Sequence, residues 1–254
     1  LMLFTRLTPA SRPALAGLAA LAAFALAGPQ IVEAQSARPA TRAPARPAPA
    51  PNYTAMLRTG EQGSHIIGNP AATVRLAEYV SYTCPHCAHF AAEATPILRS
   101  NYIARGTVSV EVRHVVRDPV DLAMATAPNC GAANRFFSRH EAMMGQHDAI
   151  MARVRALPQE TLQQWGTLPL AQRLRRVADD SGVTAWMRTR GFTPAQINSC
   201  LADTTLMQRL LDQSNQSATI GVQGTPSFTL NGTLLDNVYS WAALRPALDA
   251  ALAR

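Results

Sequence analysis

The sequence predicts an α/β fold in which a long helical block interrupts a mixed sheet. Three observations carry this. Two β-rich segments flank an early helix pattern, about a hundred residues of helical character follow, and the chain then returns to a hairpin and a closing helix. Residues 73–81 (TVRLAEYVS) are β-rich, and residues 107–116 (TVSVEVRHVV) alternate apolar with polar, the period of a half-buried strand. Between them, residues 85–102 place Phe90, Ala94 and Leu98 on one helical face. Residues 119–218 are helical, with breaks near Asn129, Pro158, Pro169, Gly182 and Gly191. Thr193-Pro194 reads as an N-cap with Pro at the first helical position, which predicts one helix through about residue 218. Asn231-Gly232 between residues 227–230 and 233–235 is a hairpin signal, and an amphipathic helix over 240–252 closes the chain.

The N-terminal part has a different composition. In residues 1–34, Arg6 and Arg12 precede an uncharged apolar run from Ala14 to Ala27, and Val32-Glu33-Ala34 offers a small-residue cleavage site. That is the layout of a secretory signal. An uncleaved anchor is the rival, because residues 13–32 are uncharged and about long enough to span a bilayer; removal before Gln35 is the preferred reading. Residues 35–61 read as a linker, with five Pro in the sixteen residues 36–51. The globular part is then residues 62–254, with the helical insertion at about 119–218. This layout makes the expected mature protein soluble and exported to the periplasm, where stable disulfides are permitted.

All 23 basic residues are Arg. Of the net charge of +7, residues 1–60 supply +5, from six Arg against one acid. The globular part is nearly balanced, so no nucleic-acid footprint is expected.

The sharpest feature is Cys84-Pro85-His86-Cys87, placed after a strand and at the start of a helix. Free N–H groups and the partial positive charge of a helix N-terminus favour a thiolate at Cys84. Pro85 starts the helix without wasting a donor, and His86 can add polar or positive stabilisation to the Cys84 sulfur. Cys87 lies one turn on, close enough to close a disulfide, and is expected to be the more buried thiol. A zinc site would need further ligands at suitable spacing, and Cys130, Cys200 and His89 do not supply it, so no metal is expected. Gly224-Thr225-Pro226-Ser227 precedes the late strand; a Pro there makes sense if the Thr225–Pro226 bond is cis and the loop faces the dithiol.

With these motifs in place, the chain resembles the DsbA-like thiol:disulfide oxidoreductases of the thioredoxin superfamily. The matching stretches are HIIGNPAATVRLAEYVSYTCPHCAHFA, VRDPVDLAMA and IGVQGTPSFTLNG, and the resemblance covers roughly residues 64–252. It implies a thioredoxin-like fold with an inserted helical subdomain, Cys84 as nucleophile, Cys87 as its partner and Pro226 as a cis-proline. The Thr225 backbone would pair with a client peptide. It further implies a disulfide donor acting on unfolded, cysteine-containing exported proteins, reoxidised by a quinone-linked membrane partner of the DsbB type. No bound cofactor is implied, and a monomer is expected. Disulfide isomerase or reductase activity is the alternative in the same chemistry, and a non-catalytic peptide-binding chaperone is the alternative in another class.

Glu78, on the first strand, is either a proton acceptor for Cys87 or a polar residue at a strand end. Relatives that pair a buried acid with Lys differ from this chain, which has none. Cys130 and Cys200 are expected to form a structural disulfide, with free thiols and a second redox couple as the rivals. His89 is read as packing near the site. His114, His140 and His147 show no constellation and are read as structural. Phe136, Phe137, Met143 and Met144 are read as core of the insertion rather than as a client groove.

Overall fold

A computed structural model describes residues 51–254. The expected signal segment at 1–34, and the linker up to residue 50, lie outside the described residues.

The sheet has six strands: β1 (Leu57–Thr59), β2 (His65–Gly68), β3 (Val74–Val80), β4 (Val108–His114), β5 (Ser227–Leu230) and β6 (Thr233–Leu234). Their order is β1-β2-β4-β3-β5-β6, with β3 and β4 parallel and every other pair antiparallel. A parallel pair needs a crossover, and α1 (Pro85–Ile97) provides it. At Pro96, which has no N–H to give the helical ladder, α1 nears its end and runs into a π-helical segment, Leu98–Ile103.

The β1–β2 ribbon corrects the predicted domain boundary. Residues 57–59 pair with 65–67, so the fold begins before residue 62. A further contact lies upstream: Tyr53 lies against Gly106, whose φ is +74° and where a Cβ would fall 2.4 Å from the Tyr53 ring. Glycine is therefore required there on both backbone and steric grounds.

The helical block runs through α2 (Pro119–Asn129), α3 (Phe136–Met144), α4 (His147–Arg155), α5 (Gln159–Thr167), α6 (Leu170–Ser181), α7 (Val183–Thr189), α8 (Pro194–Cys200) and α9 (Thr204–Thr219). Residues 120–128 of α2 are buried throughout, which makes α2 the axis of the block. Phe136, Phe137, Met143 and Met144 are core. The helix expected from 194 to 218 is two helices. Thr193 caps α8 with a reciprocal Gln196 contact, and Asp203 restarts the chain by accepting from the Leu206 N–H at 2.9 Å. An Asp cap competes with continued helix because its carboxylate offers the backbone a local acceptor. The last helix, α10 (Trp241–Leu252), is capped by Ser240.

Cys130, at the end of α2, is disulfide-bonded to Cys200, at the end of α8, with Cα atoms 5.9 Å apart and 70 residues between them in sequence. Closing a loop of that length restricts the unfolded chain by about 4 kcal/mol on the chain-entropy argument. Replacing both cysteines by Ser is expected to lower stability by roughly that amount, read from urea unfolding, with exchange chemistry at Cys84 retained. A change below about 1 kcal/mol would show that the bridge constrains little.

Candidate active site

The register of the central strands sets the floor of the site. Val74, Leu76, Glu78 and Val80 alternate onto one face of β3, beside Val108, Val110, Val112 and His114 of β4. That face lies in the main apolar core, and the core also holds Phe90 and Ala94 of α1. Glu78 is therefore a carboxyl group in an apolar layer, 6% exposed.

Cys84 is the N-cap of α1, in extended conformation, and Pro85 takes the first helical position. Its carbonyl accepts from the N–H groups of Cys87 at 3.1 Å and Ala88 at 3.2 Å. The structure holds the two cysteines as a dithiol, Cys84 4% exposed and Cys87 fully enclosed. The thiol hydrogen bond from Cys87 leads the lowering of the Cys84 pKa to about 4. Hydrogen bonds from Thr225 and from the backbone of Cys87 and His86 add to it, and together they outweigh burial, which acts the other way. Cys87 moves oppositely. Burial pushes its thiol far up, and the hydrogen bond to Cys84 and the charges of Cys84 and Glu78 add to that.

His86 acts on Cys84 through its backbone N–H, and its imidazole is exposed. His89 does not pack near the dithiol as expected; it points outward and pairs with Glu93 at 3.6 Å, one turn along α1. Opposite the dithiol, the Thr225–Pro226 bond is cis. The Thr225 carbonyl lies 3.1 Å from the Cys84 sulfur and accepts from its thiol in the protonated form. Among the described residues, no group of His, Cys, Asp and Glu is arranged to hold a metal ion.

Glu78 has its pKa raised to about 8 by burial alone. It lines a cavity of about 30 Å³ bounded by β2, β3, β4, α1, the π-helical segment and α3, shared with Thr95, Arg99, His140 and Glu141.

Two features escape a reading of the sequence. One is Asp121, buried in the first turn of α2, whose carboxylate accepts from the Ser81 hydroxyl at 2.6 Å, the Tyr82 N–H at 2.8 Å and the Arg117 N–H at 3.1 Å. It fixes the segment that delivers Cys84. The Asp118-Pro119-Val120-Asp121 pattern marks a helix start, but not what the second acid holds. The other is a buried cluster of histidines. His65 stacks on Phe136 at 3.7 Å, Phe136 stacks on His140, and Asn129 bridges His65 and His114. The Tyr82 hydroxyl meets His140 Nδ1 at 2.7 Å.

A dithiol at a helix N-terminus, faced by a cis-Pro loop on a mixed sheet, is an arrangement suited to thiol–disulfide exchange. Residues 60–250 match the Thioredoxin family model, and the chain belongs to that family, with a thioredoxin-like fold of the DsbA-like kind. A solved protein-disulfide isomerase from Novosphingobium aromaticivorans is 36% identical, with a TM-score of 0.73 over 76% of this chain and 98% of that one. The α-DsbA1 of Wolbachia pipientis, 19% identical, shares the fold with a TM-score of 0.58 over 77% of this chain and 94% of that one. A provisionally named protein-disulfide oxidoreductase of Rickettsia bellii is 26% identical over 194 residues, 76% of this chain and 66% of that relative. The Rickettsia typhi counterpart is 28% identical over 189 residues, 74% of this chain and 61% of its own length. This chain thus spans somewhat under two-thirds of those relatives.

Proposed function

We propose that this protein is a periplasmic disulfide donor. A client thiolate attacks Cys84 of the Cys84–Cys87 disulfide, Cys87 leaves, and a client–Cys84 mixed disulfide forms. A second client thiol then displaces Cys84, and the disulfide passes to the client. The observation that carries this is the unequal placement of the two sulfurs, Cys84 at the N-cap of α1 against the cis-Pro loop and Cys87 enclosed beneath it. A Cys84 thiolate stable at neutral pH is a good leaving group and favours the reduced enzyme, which makes the oxidised enzyme an oxidant. Thr225 and Pro226 bind the client backbone beside Cys84. The clients are unfolded, cysteine-containing exported proteins, and a DsbB-type quinone-linked membrane protein restores the disulfide. Residues 1–34 direct export, and the protein acts as a monomer.

The testing experiment is equilibration with glutathione buffers, with each cysteine mapped by mass. A potential near about −120 mV fits a donor, and one near about −270 mV would replace this reading with a reductase. The likeness to a solved protein-disulfide isomerase favours isomerisation as the second reading. Reactivation of a scrambled substrate by the reduced enzyme, without net oxidation, would select it.

The tuning has its own test. Thiolate absorbance of the reduced protein is expected to titrate with a midpoint near 4 from Cys84. Cys87 is expected to stay protonated well above its ordinary range. A Cys84 midpoint near its ordinary value of 9.0 would remove the basis for a donor.

A further inference from the structure

Glu78 is buried among apolar side chains, yet it must exchange protons if it serves Cys87. In the donor direction the Cys84–Cys87 bond breaks, the client–Cys84 bond forms, and Cys87 leaves as a thiolate that takes a proton from the Glu78 carboxyl group. Resolution of a mixed disulfide is the reverse: Glu78 carboxylate takes the Cys87 proton, the Cys84–Cys87 bond forms, and the client leaves as a thiolate. Either way a proton must travel between Glu78 and solvent. This chain contains no Lys that could pair with the acid.

We propose that His140, on α3 of the inserted helices, is the positioning residue that connects Glu78 to solvent through the cavity the two share. The cavity of about 30 Å³ is large enough for a water molecule. Its polar lining residues are Glu78, His140, Thr95 and the ion-paired Arg99 and Glu141, beside six apolar side chains. Arg99, on the π-helical segment, and Glu141, on α3, are each about one-third exposed, so this pair lies between the cavity and solvent. The Tyr82 hydroxyl lies 2.7 Å from His140 Nδ1. In the tautomer this pathway requires, the hydroxyl donates to Nδ1 and the proton of the neutral ring sits on Nε2. Nε2–H then donates to a cavity water, and that water donates to Glu78. His140 stays neutral because burial, with His65 nearby, lowers its pKa to about 3. The other titratable groups around the pair are Cys87 on α1, His114 on β4 and His65 on β2.

A donor chain ending on Glu78 stabilises its carboxylate, so losing it raises the pH at which Glu78 ionises. The reporter is resolution of the Cys84–glutathione mixed disulfide, formed by mixing reduced protein with excess oxidised glutathione, quenching with acid and counting the adduct by mass. Its rate below the midpoint follows the carboxylate fraction. His140→Leu is expected to raise the midpoint by about one pH unit, which is about tenfold slower resolution at pH 7. His140→Gln, which can accept from Tyr82 and still donate, is expected to restore most of the rate. Thr95→Leu, on a partly exposed face of α1, narrows the cavity without touching His140 and is expected to slow resolution in the same direction; it decides the matter if His140→Leu does not fold.

This inference rests on Glu78 serving Cys87, and Glu78→Gln separates the two. If Glu78→Gln leaves rate and midpoint unchanged, the role of Glu78 fails and the role of His140 with it. If Glu78→Gln removes the midpoint while His140→Leu and Thr95→Leu leave it in place, only the His140 pathway is overturned. A His140→Gln variant as slow as His140→Leu would likewise overturn it.

Discussion

Cys84→Ser is expected to abolish disulfide exchange, whereas Cys87→Ser is expected to trap the protein on its substrates. The asymmetry follows from burial and hydrogen bonding. Cys84 faces the cis-Pro loop and carries the thiolate, while Cys87 is enclosed beneath it with its proton held tightly. Without the Cys84 sulfur no bond to a client can form, because the remaining thiol is neither exposed nor ionised. Without Cys87, Cys84 still attacks a client disulfide but nothing resolves the product. Non-reducing electrophoresis and intact mass, after incubation with an oxidised peptide, should show adducts on Cys87→Ser and none on Cys84→Ser. The Cys87 thiol leads the lowering of the Cys84 pKa. Cys87→Ala should therefore move the Cys84 midpoint up from about 4 more than Cys87→Ser, whose hydroxyl can still donate. A Cys84→Ser protein with full biological activity would sink the exchange mechanism and favour a peptide-holding chaperone.

What was legible in the sequence is what depends on near neighbours. The alternation in 107–116, the dithiol at the strand-to-helix junction and the Asn231-Gly232 hairpin each express themselves within a few residues. The β1 and β2 strands leave no signal in the sequence, because three and four residues cannot show a period and their partners lie elsewhere in the chain. The break at 201–203 depends on an Asp cap that the preceding Thr-Pro signal overshadowed. Tyr82 and His140 are 58 residues apart, and His65 and Asn129 are 64 apart. Nothing in spacing joins such residues, and His140 read alone looks like filler in a helix. Glu78 was legible as an acid in an apolar strand, but its shared cavity exists only once α3 packs against α1 and β2. The dithiol is local and its surroundings are not.

Asp121→Ala is expected to cost about 3–5 kcal/mol of stability, measured by urea unfolding at pH 7. Its carboxylate serves the Ser81 hydroxyl and the N–H groups of Tyr82 and Arg117, and truncation leaves those donors without their acceptor in a buried site. Because Ser81 and Tyr82 lead directly into Cys84, the same change should loosen the cap of α1 and move the Cys84 thiolate midpoint upward. The wild-type acid also has a pH signature. Burial raises its pKa from 3.8 to about 6, so the fold prefers the neutral form and loses stability as pH rises through that window. Glu78 acts in the same sense between 4.5 and about 8. His140 acts in the opposite sense, because its pKa is lowered from 6.5 to about 3 and stability is lost as pH falls through that window. Asp121→Asn, which cannot ionise, separates these contributions. Its stability difference from wild type should be larger at pH 4 than at pH 7, because only the wild type loses the cost of a buried charge on acidification. An equal difference at the two pH values would mean that the three donors compensate the Asp121 charge fully and that its ionisation is not linked to folding.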